Sequence, residues 1–446
     1  MMKQLLPHQI EDAAFLSSRP FAGNFSGMGS GKTLTALEAL KQVDDGDGYV
    51  LIVGPPISLS MWKEEAEEHL GMPAQIVRTG TAKLNFPNTP IFIMSYQIAT
   101  KRRDELKKFN ILALICDESH ALKSPKAKRT KAIIGRGGIC ESAKYTWCLS
   151  GTPSTRYHDD MFTFLARADN RGLKALTGKV SLDRFRLRYC ITQKKKFSAA
   201  QRFPTEITVG NRNTEELNEF IFGGGLAVRR SLDSVWAEMP PLTINRLQVQ
   251  LDRDAELTAM LKELNAKTID QVVMDMASPS EHLSTLRRKL GMAKVKHSVS
   301  EIVDRIQAGI SPILVGAWHT SVIDELTEVL QEKGIDARKL DGRTTHIARL
   351  TLTKAFNAQD LQVLVGQISA MGTSLNLQGG SHIICVEEDW SPALMDQFFA
   401  RCHRIGQANH VHVDIFESDT PLDRAVRKIN AAKTRGHHAL MAQEEA

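Results

Sequence analysis

The chain of 446 residues is too long for one hydrophobic core, so its length alone predicts two or three domains. Hydrophobic residues make up 42% and charged residues 24%, as in ordinary globular proteins. The net charge of +6 is too small to indicate a polyanionic partner by itself.

Cysteine spacing and hydropathy narrow the class of protein further. None of the six cysteines forms a CxxC pair, which argues against a zinc site or a disulfide framework. No apolar run approaches the roughly 20 residues that cross a membrane.

Positive charge clusters at residues 101–108, 123–136 and 184–196. Each cluster taken singly is typical of a solvated face, and the three together weakly favour a surface that faces phosphates.

Short apolar runs alternate with helical patterns in two separate stretches. Continuous apolarity is typical of strands that are buried on both faces. Residues 321–332, between two such runs, have helical spacing. We therefore predict two α/β lobes with mostly parallel sheets. The runs lie at residues 49–53, 91–94, 111–116 and 145–149, and at 313–315, 363–365, 382–386 and 411–416.

The middle of the chain breaks this rhythm and is richer in charged and helical segments. We predict a first lobe over residues 1–165 and a second lobe over 293–446, which includes a C-terminal helix. Residues 166–292 are predicted to form a helical insertion and linker that includes a return to the first lobe.

A glycine-rich loop at residues 27–33 follows a short apolar run and precedes a helical pattern. Glycines let backbone amides converge on phosphate oxygens, and the helix N-terminus adds its positive dipole end. Lys32 is expected to reach the β- and γ-phosphates of ATP, with Thr33 on Mg²⁺. Ser26 stands where the general pattern has glycine, and the alternative is a strand-to-helix turn without nucleotide. The candidate ATP-binding residues here are Gly27, Met28, Gly29, Ser30, Gly31, Lys32 and Thr33.

An acidic pair, Asp117 and Glu118, ends the apolar run of residues 111–116. We expect Asp117 to hold Mg²⁺ and Glu118 to orient or deprotonate the attacking water. Such a pair is often only a turn, but the upstream loop with Lys32 favours the catalytic interpretation.

In the second lobe, residues 392–404 read as one amphipathic helix. Gln397, Arg401 and Arg404 fall at i, i+4 and i+7 and would share a face. Solvated arginines are the plainer interpretation. Beside the nucleotide motifs, we expect Arg401 and Arg404 to stabilise charge on a γ-phosphate that the first lobe binds. A site divided in this way would make lobe closure depend on ATP.

These motifs, with the string at residues 401–407, resemble the Snf2 family of superfamily 2 helicase-like ATPases, which have two RecA-like lobes. Residues 185–190 and the compact insertion are most similar to its annealing-helicase subgroup. The resemblance implies that Gln9 reads adenine and that Arg404 also contacts ATP. It implies coupling roles for His120, Ser150, Thr152 and Gln397, and DNA contacts for Ser95, Tyr96, Thr373, Ser374 and Asn376.

The chain departs from the family pattern at a few positions. Ser26-Gly27 replaces the acidic pair that usually precedes Met-Gly, which affects the tuning of the ATP site. Met371 and Ser374 stand where glycine is common, which affects the DNA-coupling loop. None of these changes removes a residue with a direct catalytic role.

The resemblance implies an ATP- and Mg²⁺-dependent translocase on double-stranded DNA, with forked DNA as a further substrate. We expect a monomer without accessory domains and without membrane contact. We expect it in the cytoplasm of a bacterial cell or a virus-infected host. The sequence does not identify a protein partner. The alternatives are a strand-separating superfamily 2 helicase, which would need a wedge element, and a non-hydrolysing DNA-binding module. A motor that strips a protein from DNA is a third alternative.

Overall fold

The computed structural model describes residues 5–154, 157–195, 203–231, 239–276, 281–371 and 375–441. The chain forms two compact units, Met1–Val235 with Arg435–Ala446, and Trp236–Thr434. The segment predicted as insertion and linker, 166–292, is divided between these units. The domain bounds drawn from the sequence stay a proposal.

The first unit is built on a seven-stranded sheet in the order β3-β4-β2-β5-β6-β1-β9. All of its paired strands run parallel. A separate antiparallel pair, β7 and β8, lies outside this sheet. The strands are β1 Phe21–Asn24, β2 Tyr49–Gly54, β3 Ala74–Val77, β4 Ile91–Ser95, β5 Ile111–Cys116, β6 Ala143–Leu149, β7 Cys190–Lys195, β8 Thr205–Asn211 and β9 Ala227–Val228.

Ten α-helices accompany these strands in the described part of the first unit. Single turns of 3₁₀ helix lie at Ser119–Leu122, Ile139–Ser142 and His158–Met161, and a π-helical turn lies at Glu219–Gly223. The α-helices are α1 Pro7–Ser17, α2 Lys32–Val43, α3 Leu59–Leu70, α4 Tyr96–Lys101, α5 Arg103–Leu106, α6 Lys128–Ile133, α7 Phe162–Ala168, α8 Asn170–Thr177, α9 Leu182–Tyr189 and α10 Thr214–Asn218.

The second unit has a six-stranded parallel sheet in the order β10-β15-β14-β11-β13-β12. Its strands are β10 Leu242–Gln248, β11 Ile313–Ala317, β12 Ala337–Leu340, β13 Val363–Gln367, β14 His382–Cys385 and β15 Val411–Glu417. Its helices are α11 Ala255–Asn265, α12 Ile269–Met276, α13 Glu281–Gln307, α14 Thr320–Glu332, α15 His346–Asn357, α16 Ile368–Met371, α17 Pro392–Phe399 and α18 Pro421–Met441, the last of which runs past the unit's end.

Both large sheets are buried on both faces, which explains their continuous apolar strands. Along β2, Leu51 and Val53 pack into one hydrophobic cluster, while Val50 and Ile52 pack into another on the opposite face. The central strand β11 divides its side chains between two clusters in the same way. The predicted fold class, two α/β lobes with mostly parallel sheets, is confirmed. No helix in the described ranges is both long enough and apolar enough to cross a membrane.

The predicted helix at residues 392–404 ends early. It stops at Phe399, so Gln397 is helical whereas Arg401 and Arg404 follow the helix and do not share its face. The chain tightens here because the amides of Arg401 and Cys402 donate to the carbonyls of Phe398 and Phe399, three residues back.

The hairpin of β7 and β8 is anchored to the first unit by a buried histidine. His158 is fully buried, and its backbone amide donates to Asn211 Oδ1 at 3.0 Å. Its Nδ1 lies 3.1 Å from the carbonyl of Tyr189, so Nδ1 carries the hydrogen. The buried Nε2 has no hydrogen-bond partner among the described residues. Burial lowers the pKa of His158, because the protein interior solvates a charged imidazolium poorly. Backbone hydrogen bonds with Tyr189 and Arg212 and the charge of Asp159 oppose this shift.

This histidine predicts acid sensitivity of the fold. Because the folded-state pKa lies below that of the unfolded chain, the stability contributed by neutral His158 is complete above about pH 6.5. It is lost as the pH falls toward the folded-state value, by at most about 1.4 kcal/mol per pH unit. Thermal unfolding between about pH 7.5 and pH 5 should show a smaller acid-induced loss in His158→Gln than in the wild type. Equal losses in both proteins would contradict this assignment.

Candidate active site

The glycine-rich loop connects β1 to α2, as a phosphate-binding loop requires. Gly29 and Gly31 both have φ of 81°, in the left-handed region that favours glycine. The loop delivers Lys32 to the first position of α2, where free backbone amides face an incoming anion. Lys32 Nζ donates to the carbonyls of Ser26 and Gly27 at 2.8 Å each, so its ammonium group lies across the loop.

Helix α1 packs against this loop through two side chains. His8 Nε2 lies 3.1 Å from the carbonyl of Ser30. The side chain of Gln9 fills the space over Gly31, where an added Cβ would come within 2.1 Å of Gln9 Nε2. The backbone amide of Leu6 donates to Gln9 Oε1 at 2.9 Å and orients this amide group. Gln9 therefore borders the loop; its reading of adenine stays a prediction.

Asp117 follows β5 and is held by residues from other elements. Trp62 Nε1, from α3, donates to Asp117 Oδ2 at 2.9 Å, and the hydroxyl of Tyr96 donates to the Asp117 carbonyl at 2.7 Å. Loss of solvation raises the pKa of the Asp117 carboxyl, and the neighbouring Glu118 raises it further. Hydrogen bonds from Trp62 and Ser58 and the charge of Lys32 oppose this rise in pKa. The carboxylate thus depends on a cation or hydrogen-bond donors to stay ionised.

Glu118, the second residue of the acidic pair, lies near the segment that follows β6. Its φ of 48° is unusual for a residue other than glycine and turns the chain sharply after β5. Glu118 Oε2 lies 3.2 Å from His120 Nδ1, which in turn lies 3.2 Å from Ser150 Oγ. Ser150 Oγ also accepts the amide of Thr152 at 3.1 Å. The predicted coupling residues His120, Ser150 and Thr152 therefore lie together, with Glu118 next to His120; their coupling roles stay a prediction.

The sheet topology brings the glycine-rich loop, the acidic pair and the segment with Ser150 to the carboxyl-terminal edge of the first sheet. Strands β5, β6 and β1 are parallel neighbours, so the segments after them leave the sheet on the same side. Gly151 lies so close to the loop that an added Cβ would come within 2.5 Å of Met28 Cγ. The first unit thus gathers the glycine-rich loop, the acidic pair and the segment with Ser150 and Gly151 at one place.

Mg²⁺ fits the oxygen donors at this edge. Thr33, in the first turn of α2, offers a hydroxyl, and Asp117 offers a carboxylate. Within the described ranges no three His, Cys, Asp or Glu side chains converge as a metal site. One hydroxyl and one carboxylate suit Mg²⁺ in nucleotide sites, where one or two protein oxygens suffice and phosphates and water supply the other ligands.

In the second unit, Arg401 is bound to the backbone of its own unit. Its Nε donates to the carbonyl of Gln397 at 2.8 Å and its Nη1 to that of Leu375 at 3.1 Å, while its own carbonyl accepts the amide of Leu377. Arg404 lies three residues further along in a turn and is half-buried. Gln397 is buried at 3% exposure. The structure therefore places Arg401 and Arg404 in the turns that follow α17 and not on one helix face, which their sequence spacing did not predict.

The predicted DNA-contacting residues fall into three groups. Ser95 and Tyr96 are buried at 6% and 7% exposure: Ser95 Oγ caps α4, and Tyr96 supports Asp117. Their observed contacts are structural and leave little surface for DNA. Asn376 is half-buried, and its carbonyl accepts a hydrogen bond from Asn357. Thr373 and Ser374 lie outside the described residues.

Sequence reasoning missed the residues that orient Asp117. Trp62 lies in α3, and nothing in its spacing predicted a hydrogen bond to a residue 55 positions away. Ser58 precedes α3 and packs under Gly54, where an added Cβ would lie 2.9 Å from Ser58 Oγ and 3.2 Å from Asp117 Cβ. The glycine that ends β2 was the available signal, since it permits this close approach.

Two parallel-sheet units, one with a phosphate-binding loop and a strand-end acidic pair, define a helicase-like nucleotide-binding protein. The SNF2-related domain matches residues 23–177, and the helicase conserved C-terminal domain matches residues 294–406. Together these matches cover more than half of the chain. The chain belongs to the Snf2 family of helicase-like ATPases.

Relatives within this family include DNA annealing helicases. A Caenorhabditis elegans homolog of SWI/SNF-related matrix-associated actin-dependent regulator of chromatin subfamily A-like protein 1 is 26% identical over 93% of this chain and 58% of its own length. The Mus musculus DNA annealing helicase and endonuclease ZRANB3 is 25% identical over 94% of this chain and 39% of its own length. The chain therefore spans roughly half of these relatives or less.

One solved structure aligns with most of the chain. The Sulfolobus solfataricus SWI2/SNF2 ATPase core in complex with dsDNA aligns with a TM-score of 0.44 and 18% sequence identity, over 94% of this chain and 88% of that one.

Proposed function

We propose that this protein is an ATP-dependent translocase on double-stranded DNA, which uses ATP hydrolysis to move on or remodel DNA or protein–DNA complexes. Reannealing of strands and remodelling of forks belong to the same proposal. The observation that carries it is the convergence of the Lys32 loop with Asp117 and Glu118 at one sheet edge, joined to Ser150 through His120. The relative named as a DNA annealing helicase and endonuclease supports the choice of DNA as the substrate.

In this proposal each motif residue of the first unit has one task. Lys32 exchanges its bonds to the loop carbonyls for the phosphates of ATP. Thr33 and Asp117 would hold Mg²⁺, which would neutralise phosphate charge when bound. Glu118 orients the attacking water and takes its proton. His120 carries the change at Glu118 to Ser150 and so to the segment after β6. From the second unit, Arg404 is assigned to the charge that develops on the transferred phosphoryl group.

The test is the rate of phosphate release with duplex DNA, forked DNA, single-stranded DNA, RNA and no nucleic acid. We expect duplex DNA to raise the rate because backbone contacts favour the active state. The apparent affinity for duplex should fall between about 50 and 200 mM salt, with a log–log slope of about −0.9 for each phosphate contact. Hydrolysis that is indifferent to DNA at both salt concentrations would sink the translocase proposal.

A strand-separating helicase is the second candidate, and the hairpin of β7 and β8 favours it. This antiparallel pair stands apart from the parallel sheet and carries Lys194 and the half-exposed Ile191. An unwinding assay on forked DNA distinguishes the two functions, since a translocase without a wedge hydrolyses ATP and leaves the strands paired.

A bacterial or viral cytoplasmic setting and a monomeric state stay predictions.

A further inference from the structure

Asp12 in α1 is a buried carboxylate next to the phosphate-binding loop. Its residue exposure is 1%, and ionisable side chains are seldom buried to this degree unless they are paired. Asp12 Oδ1 accepts a hydrogen bond from Arg230 Nε at 3.1 Å, and Oδ2 accepts one from Ser26 Oγ at 3.3 Å. The two oxygens thus join the segment after β9 to the start of the loop.

Arg230 continues this connection through its backbone. Its amide donates to Ser26 Oγ at 3.1 Å, and its carbonyl accepts the amide of Gly27 at 2.8 Å. The carbonyls of Ser26 and Gly27 are the groups that hold Lys32 Nζ. Only the Ser26–Gly27 segment therefore separates Asp12 and Arg230 from the lysine that is assigned to the phosphates.

This arrangement occurs where the loop departs from the family pattern, since Ser26-Gly27 stands in place of an acidic pair. We propose that Asp12, together with Arg230, is a positioning residue that sets the Ser26–Gly27 segment for ATP. It supplies from α1 the carboxylate that the loop itself lacks. The inference rests on the proposed ATP-binding function and adds two residues to it.

Asp12 can position the Ser26–Gly27 segment because a hydrogen bond to a charged carboxylate has a fixed direction. Arg230 also pairs with a second carboxylate, that of Glu11, at 2.8 Å. The Glu11 side chain is 63% exposed and therefore holds the guanidinium loosely. Without the Asp12 carboxylate, Ser26 Oγ loses its acceptor and Arg230 loses its buried partner. The Ser26–Gly27 carbonyls would then sample several orientations, and part of the ATP-binding energy would be spent on ordering them.

The experiment measures equilibrium binding of a fluorescent ATP analogue with Mg²⁺, together with KM and kcat for ATP, on the full chain. We expect Asp12→Asn to raise Kd and KM about tenfold, as expected when a charged hydrogen bond becomes a neutral one, and to change kcat much less. Asp45→Asn is the matched control, because Asp45 pairs with Lys144 on the surface, with exposures of 51% and 55%. This control should bind as the wild type does.

Rescue separates positioning from simple support of the fold. Asp12→Ala should weaken binding like Asp12→Asn, and Asp12→Ala/Ser26→Asp should restore most of the affinity because it returns a carboxylate to the loop. A purely structural role would lower the melting temperature, leave Kd of the folded protein unchanged and show no rescue, which would overturn the inference. Arg230→Gln combined with Asp12→Asn should weaken binding no more than either change alone.

The same measurements distinguish this inference from the proposed function. If Lys32→Ala loses binding while Asp12→Asn binds like the wild type, the role of Asp12 is refuted and the ATP site stands. If the wild-type chain itself fails to bind the analogue, the ATP-binding function is refuted and the inference falls with it.

Discussion

Glutamine in place of Glu118 is expected to lower the rate of ATP turnover by about 10²–10⁴-fold, the usual contribution of a general base. The substitution keeps the size of the side chain and removes its ability to accept a proton. ATP affinity should stay close to that of the wild type, since Lys32 and the loop amides are unchanged. Phosphate release and fluorescent-nucleotide binding, measured on the same preparation, separate the two effects.

Glu141→Gln is the matched control for this change, because Glu141 pairs with Arg167 at the surface. It should hydrolyse ATP at the wild-type rate. A Glu118→Gln protein that turns over ATP normally would show that another group activates the water. Loss of binding along with turnover would instead assign Glu118 to the support of the loop.

Alanine in place of Arg404 is expected to lower kcat by about 10³–10⁵-fold, the range associated with an arginine finger. Steady-state hydrolysis at saturating ATP measures this loss. Arg401→Ala is expected to lower stability, because Arg401 donates to the carbonyls of Gln397 and Leu375. Removing a charged donor from two carbonyls should lower the free energy of unfolding by roughly 2 kcal/mol in addition to any effect on turnover.

Thermal unfolding and steady-state hydrolysis, measured on both Arg404→Ala and Arg401→Ala, test these expected losses of turnover and of stability. Arg338→Ala serves as the control within the same unit, since Arg338 pairs with Asp336 and is 59% exposed. If Arg404→Ala hydrolyses ATP normally, the arginine-finger assignment is wrong. If Arg401→Ala unfolds like the wild type, its backbone contacts contribute nothing to stability.

The central strands of both sheets could be read from the sequence because burial on two faces demands an uninterrupted apolar run. Strands β5 and β11, which are fully buried, are examples. The edge strands β3, β9, β10 and β12 were missed. An edge strand pairs on one side only and carries polar residues, as in Ala337–Leu340, where Arg338 and Lys339 are exposed. Local pattern cannot distinguish such a segment from a loop.

Helix α17 shows a different limit of sequence reasoning. Helical spacing placed Arg401 and Arg404 on one face, yet the helix ends at Phe399. What ends it is tertiary: the Arg401 carbonyl accepts the amide of Leu377, and the side-chain amide of Gln407 donates to the carbonyls of Gln378 and Gly380. These bonds join segments more than 20 residues apart, and periodicity within one segment carries no information about them.

By itself, the sequence determined the fold class, the family and the identity of the groups available for chemistry, because a glycine-rich loop, an acidic strand end and central apolar runs are local patterns. Only the tertiary structure decided which groups surround Asp117, how Glu118 connects to Ser150, and that Asp12 reaches the loop through Ser26 and Arg230. Those contacts join residues 14 to 218 positions apart. Their geometry follows from how the strands are ordered in the sheet, which no single segment encodes.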